Sequence, residues 1–144
     1  MISWSINDVY LASSAVLLVL AIVLLASRRT LLIWQLGLAL ISLSVWDLCV
    51  FLVEERLLPG HVSLIARVQL VAILLFGTGL FNFCASFPDL KPNRWQAVIT
   101  LVSVGFMLGL LLTRNVSDAV YEGDDIRYIE GVWFTLYTLY LVVT

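Results

Sequence analysis

Apolar residues gather into five long stretches along this chain, separated by short turns that carry nearly all of the charge. The stretches cover 9–27, 31–53, 62–87 and 95–113, and a fifth starts near Gly131 and runs to Thr144. A helix that crosses a bilayer needs about 20 consecutive, mainly apolar residues, each adding about 1.5 Å. The first four stretches meet that length. The fifth, "GVWFTLYTLYLVVT", provides about 14 residues, or roughly 21 Å, against a hydrocarbon core of roughly 30 Å. It is expected to be cut short in a chain that forms the N-terminal part of a longer protein, with a re-entrant end as the other reading. The pattern therefore predicts an all-α, polytopic transmembrane helix bundle with four full spans and a truncated fifth. No repeat or Ser/Gly linker divides it, so residues 1–144 read as one domain.

The turns set an orientation. "SRRT" carries Arg28 and Arg29, and "PDLKPNR" carries Lys91 and Arg94 against Asp89 alone, whereas the remaining turns are mainly acidic. The excess of basic residues in short cytoplasmic loops puts the first two inside and the N-terminus outside. The leading "MISWSIND" holds Asp8 and neither Lys nor Arg, so the basic region of a cleavable signal peptide is missing and the first helix reads as a retained anchor. Pro59-Gly60 predicts a tight outer turn, and Pro88 and Pro92 break the chain at the inner one.

Composition agrees with a multi-pass protein of the cytoplasmic membrane: 62% of residues are hydrophobic, 12% are charged and the mean hydropathy is +1.04. Basic residues form no stripe, and the tryptophans and tyrosines lie near the ends of apolar runs, where membrane interfaces favour them, so nucleic acid is excluded as a partner. Motifs for zinc proteases, serine hydrolases and nucleotide binding are missing, and the chain is not expected to be an enzyme or to hold a cofactor or metal. His61, in the "LPGH" turn, reads as a solvated interface residue, and Glu122 with Asp124 and Asp125 as a solvated acidic loop. Asn115 opens an "NVS" sequon, a pattern short enough to arise by chance. Cys49 and Cys84 fall near opposite membrane faces, roughly 25 Å apart, and read as unpaired, small buried residues.

Two charges interrupt the apolar stretches. Asp47 lies seven residues inward of Glu54, and Arg67 five inward of Val62, depths of roughly 10 Å and 7 Å from the same boundary. The short turn makes their helices antiparallel neighbours, so an Asp47–Arg67 ion pair is geometrically natural and lowers the cost of both charges in lipid. A ligand or proton site and two unrelated placements are the alternatives. Arg67 has a stem long enough to snorkel, whereas Asp47 must face protein, water or a partner. Arg67, Thr78 and Asn82 fall within about 60° of one another at 100° per residue, a polar stripe that faces other helices. Gln69 lies on nearly the opposite side, which makes this helix central to the bundle or the wall of a ligand cavity. Gly105 and Gly109 form a G-x-x-x-G pair suited to close helix packing, within the chain first and in a homodimer second.

The runs "SVWDLCVFL", "ARVQLVAILLFGTGLFNFCASFPD" and "YIEGVWFTLYTLY" resemble the N-terminal seven-helix membrane region of prokaryotic sensor histidine kinases. The family pattern has a tryptophan and an acidic residue in helix two, here Trp46 and Asp47. It has an arginine followed by a glutamine or aromatic early in helix three, here Arg67 and Gln69. Phe87-Pro88 closes that helix, and Gly131 opens the fifth. The resemblance implies an outside N-terminus, two further helices, and an attached cytoplasmic output module such as a PAS, kinase or cyclase domain of a two-component or related system. His61, placed outside, does not serve as a phospho-acceptor. The expected function is a sensor that perceives an external small molecule or a membrane-dissolved signal. The alternative is a small transporter or transporter half with Asp47 and Arg67 in a substrate or proton path, for which the Gly77-Thr78-Gly79 run is the one hint of a broken helix. A structural subunit of a membrane complex is the third reading.

Overall fold

The computed structural model describes residues 6–27, 30–86, 94–112, 117–122 and 125–130. Helix α1 spans Ile6–Ser27, α2 Leu31–Glu54, α3 Val62–Ala85 and α4 Arg94–Leu112, and a two-stranded hairpin follows, β1 Ser117–Glu122 and β2 Asp125–Glu130. Three helices are long and apolar enough to cross a membrane, Ile6–Ser27, Leu31–Glu54 and the unit Pro59–Ala85; α4 has a shorter apolar run, Gln96–Gly109. The expected fifth helix lies outside the described residues. The all-α expectation holds for the four described apolar segments, but the acidic loop forms a short hairpin. Its strands pair antiparallel, with Val120 opposite Arg127, consistent with the β-favouring Val120, Tyr121, Ile126, Tyr128 and Ile129.

Local chemistry fixes the helix ends. Thr30 caps α2: its side chain accepts from the Ile33 amide at 3.4 Å, supplying one of the acceptors that a helix start lacks. At the other end the Leu57 amide donates to the Leu52 carbonyl and the Arg56 amide to that of Val53, the paired bonds of a Schellman stop. Arg56 takes the left-handed position, with φ 52°, where glycine is usual because a Cβ costs about 1 kcal/mol there. Pro59 then opens a single 3-10 turn, Pro59–His61, that leads directly into α3. Proline suits that place because it has no amide to leave unsatisfied.

The helices pack in chain order, α1 on α2, α2 on α3 and α3 on α4, each pair antiparallel, and β1 packs on α3. Small and polar residues lie inside: Ser14, Ala21, Ala39, Ser42, Ser44, Ala66, Ala72 and Thr78 are all buried. Large apolar ones lie outside, among them Val16, Val19, Ile22 and Val23 on α1 and Leu101, at 74% exposure, on α4. This inverts the arrangement of a water-soluble core. It is what a bilayer favours, since lipid solvates large aliphatic side chains and helices gain by bringing their backbones close. The fold is that of a helical membrane protein.

Candidate functional site

Between α1 and α2 the contact runs down the full interface. Leu25 fills the space over Gly37, where an added Cβ would lie 2.7 Å from Leu25 Cδ2 and 2.8 Å from its Cγ. In the middle, Ser14 Oγ donates to the Ser44 carbonyl at 2.9 Å and Ser44 Oγ returns the bond to the Ser14 carbonyl at 2.8 Å. One residue further along α1, Ser13 Oγ donates to Asp47 Oδ2 at 2.6 Å. At the end, Asn7 Nδ2 donates to Glu55 Oε1 at 2.7 Å.

Asp47 is 5% exposed, and its carboxylate is held by the Ser13 hydroxyl of α1. The Arg67 guanidinium, half-buried, instead donates through Nη2 to Ser63 Oγ on its own helix, at 3.2 Å. The ion pair expected from their matched depths does not form. The reason is azimuthal. At 100° per residue, Asp47 lies about 60° from Ser44, on the α1 side of α2, and about 160° from Cys49. Cys49 and Val53 form the α2 side of a cluster with Val62, Ile65 and Ala66 of α3. Asp47 is therefore turned away from the helix that bears Arg67.

The polar stripe of α3 faces α4. Asn82 Nδ2 donates to Thr100 Oγ1 at 3.0 Å, and Leu74, about 20° from Arg67 around the helix, packs with Met107. Thr78, 9% exposed, lies on the same stripe, and its Oγ1 has no hydrogen-bond partner. Gln69 is half-buried near Ile65 and Ala66 in azimuth, on the α2 side. Helix α3 packs against α2 on one side and α4 on the other, which is the central position, one of the two readings its polar faces allowed. It also runs unbroken through Gly77-Thr78-Gly79.

Two further expectations are corrected. A Cβ built on Gly105 or Gly109 meets nothing within 4 Å, so the G-x-x-x-G pair creates no close helix contact among the described residues. The close approaches belong to Gly37 and to Gly79, whose added Cβ would lie 3.3 Å from both Ala39 Cβ and the Gln35 carbonyl oxygen. Gly37 stands alone and Gly79 belongs to the Gly77-Thr78-Gly79 run, and both lie opposite residues the sequence does not identify as partners. Both cysteines are free, but only Cys49 is buried; Cys84 is exposed. His61 is exposed in its turn.

The sequence reading missed Ser13, Ser14, Ser44, Ser63 and Thr100. The available signal was a pair of adjacent serines in the apolar "LASSAVLL" and a serine three residues before Asp47. Comparison with family models, curated proteins and solved structures gave no match.

Proposed function

We infer that this chain is the signal-input region of a membrane-bound signalling protein, a sensor histidine kinase or a relative of one, in the cytoplasmic membrane. In this reading the N-terminus is outside, α4 is a fourth span, the segment from Gly131 begins a fifth, and a cytoplasmic module converts helix movement into output. The observation that carries it is the Ser13–Asp47 contact, a carboxylate sealed into a helix–helix interface by one hydroxyl at 2.6 Å. An ionisable group inside a membrane is costly and marks function by default. Here it joins two helices within a seam that also holds the Ser14–Ser44 and Asn7–Glu55 bonds, and exchange of such partners between two packings is what a two-state input element requires. Transport is disfavoured because substrate paths are built from discontinuous helices near the midplane, and α1, α2 and α3 are each continuous.

The reading frame downstream of codon 144 tests this most directly. An in-frame output module, with a phospho-acceptor histidine and an ATP-binding domain or a cyclase domain, is the expected result. Asp47→Asn should then alter signal-dependent output in the full-length protein. Proton-coupled uptake into vesicles that is abolished by Asp47→Asn in a normally folded protein would establish the transporter instead.

A further inference from the structure

We propose that Arg67 and Ser63 form a binding site for a phosphate oxyanion at the end of the bundle where α2 turns into α3. The inference concerns ligand binding and stands whether or not the chain is a sensor.

Arg67 is the one charged residue of α3. Two acids, one in α2 and one just after it, bond to α1 and not to it: the Asp47 carboxylate is held by Ser13, and Glu55 accepts from Asn7. The Arg67 Nε–H is buried and has no hydrogen-bond acceptor among the described residues, where its Nη2 donates to the neutral Ser63 hydroxyl. A buried guanidinium edge without an acceptor is uncommon in folded proteins, because a charged donor loses more than a neutral one when it leaves water unpaired.

The direction of the side chain identifies the class of acceptor. Ser63 lies four residues before Arg67, one turn nearer the helix start, so the bond at 3.2 Å draws the guanidinium toward the polar boundary. Ser63 is the second residue of α3. The charge therefore lies within roughly 2 Å of the level where that helix begins, the depth at which a bilayer presents its phosphodiester groups. A guanidinium is a planar fork of donors matched to two oxygens of one oxyanion. Ser63 occupies one donor and holds the plane; the Nε–H is sealed inside the protein, so an oxyanion meets the guanidinium at its Nη groups. The same chemistry admits the phosphodiester of a lipid headgroup or a free phosphate.

The test uses the wild-type chain purified in dodecyl maltoside, a detergent without phosphate. Melting is followed during titration with dioleoyl phosphatidylglycerol and, as a control with the same tails and no phosphate, dioleoylglycerol. A parallel titration uses inorganic phosphate against chloride at matched ionic strength. A saturable rise in Tm with phosphatidylglycerol and none with dioleoylglycerol is expected if a lipid headgroup fills the site; a rise with inorganic phosphate as well identifies a site open to free oxyanions. Arg67→Gln should raise the apparent Kd by roughly tenfold or more, the value of one charge-assisted contact, with Arg67→Lys intermediate. Should Arg67→Gln fail to fold, Ser63→Ala gives a second variant, expected to weaken the phosphate-dependent shift while leaving the charge in place. No shift with either phosphate source in the wild-type protein, or an equal shift in folded Arg67→Gln, overturns the proposal.

Discussion

Ser13 and Asp47 meet across the α1–α2 interface at 2.6 Å, within the range of a hydroxyl donating to a carboxyl oxygen. The contact gives the intramembrane acid a neutral partner on the first helix rather than a cation on the third. Its neighbour, the reciprocal Ser14–Ser44 pair, keeps the backbones of α1 and α2 close enough for so short a side chain to reach.

Removing the hydroxyl should cost more than removing the charge. Ser13→Ala leaves a buried carboxylate without its donor, a loss of about 1–3 kcal/mol. Asp47→Asn keeps an oxygen that accepts from Ser13 and eliminates a charge from the interior, so its loss should be smaller. Combined with Arg67→Gln it should be additive to within about 0.5 kcal/mol, as for residues that share no contact. Unfolding in mixed micelles measures all three; a coupling well above that between Asp47 and Arg67 would mean that the two charges interact.

Glycine substitutions should sort by contact and not by motif. Gly37→Ala drives a methyl into Leu25 and should cost about 1–3 kcal/mol, partly recovered in a Leu25→Ala background. Gly105→Ala and Gly109→Ala place a methyl in open space and should be neutral or stabilising by up to about 1 kcal/mol through helix propensity. A large loss at either G-x-x-x-G position, visible as a fall in Tm together with a change in oligomeric state, would show that the pair packs against another copy.

The Asn82–Thr100 bond at 3.0 Å joins α3 to the fourth helix. A double-mutant cycle with Asn82→Ala and Thr100→Ala should give a coupling of about 0.6 kcal/mol, with roughly 1.7 kcal/mol as a ceiling for hydrogen bonds of this kind between membrane helices. Zero coupling would place α4 elsewhere.

Orientation is open to direct labelling. In a background of Cys49→Ala and Cys84→Ala, a cysteine replacing the exposed His61 should react with an impermeant maleimide from outside intact cells. One replacing the exposed Thr30 should react only after the cytoplasmic side is opened. The opposite pattern would invert the charge argument drawn from Arg28, Arg29, Lys91 and Arg94.

Much of this architecture was legible along one dimension. The apolar runs 31–53 and 62–87 match α2, Leu31–Glu54, and α3, Val62–Ala85, to within a residue or two, because helix length in a membrane is dictated by bilayer thickness and written directly in hydropathy. The two-faced polarity of α3 allowed either a central position or the wall of a cavity, since polar residues on opposite sides cannot both face lipid, and α3 lies between α2 and α4. Backbone depth is set by residue count, because rise per residue is constant in a helix, but the Arg67 guanidinium turns back to Ser63, so its charge does not share the depth of Asp47. Rotation about the helix axis was not legible. Which face of α2 meets α1 and which meets α3 depends on where Gly37 admits Leu25 and where Cys49 and Val53 meet Ile65 and Ala66. These contacts between residues far apart in sequence leave no periodic signal when nearly every position is apolar. In a water-soluble helix the polar face reports the azimuth; in this chain lipid accepts almost any apolar side chain, and only the packing of three helices against one another turns Asp47 toward Ser13 and away from Arg67.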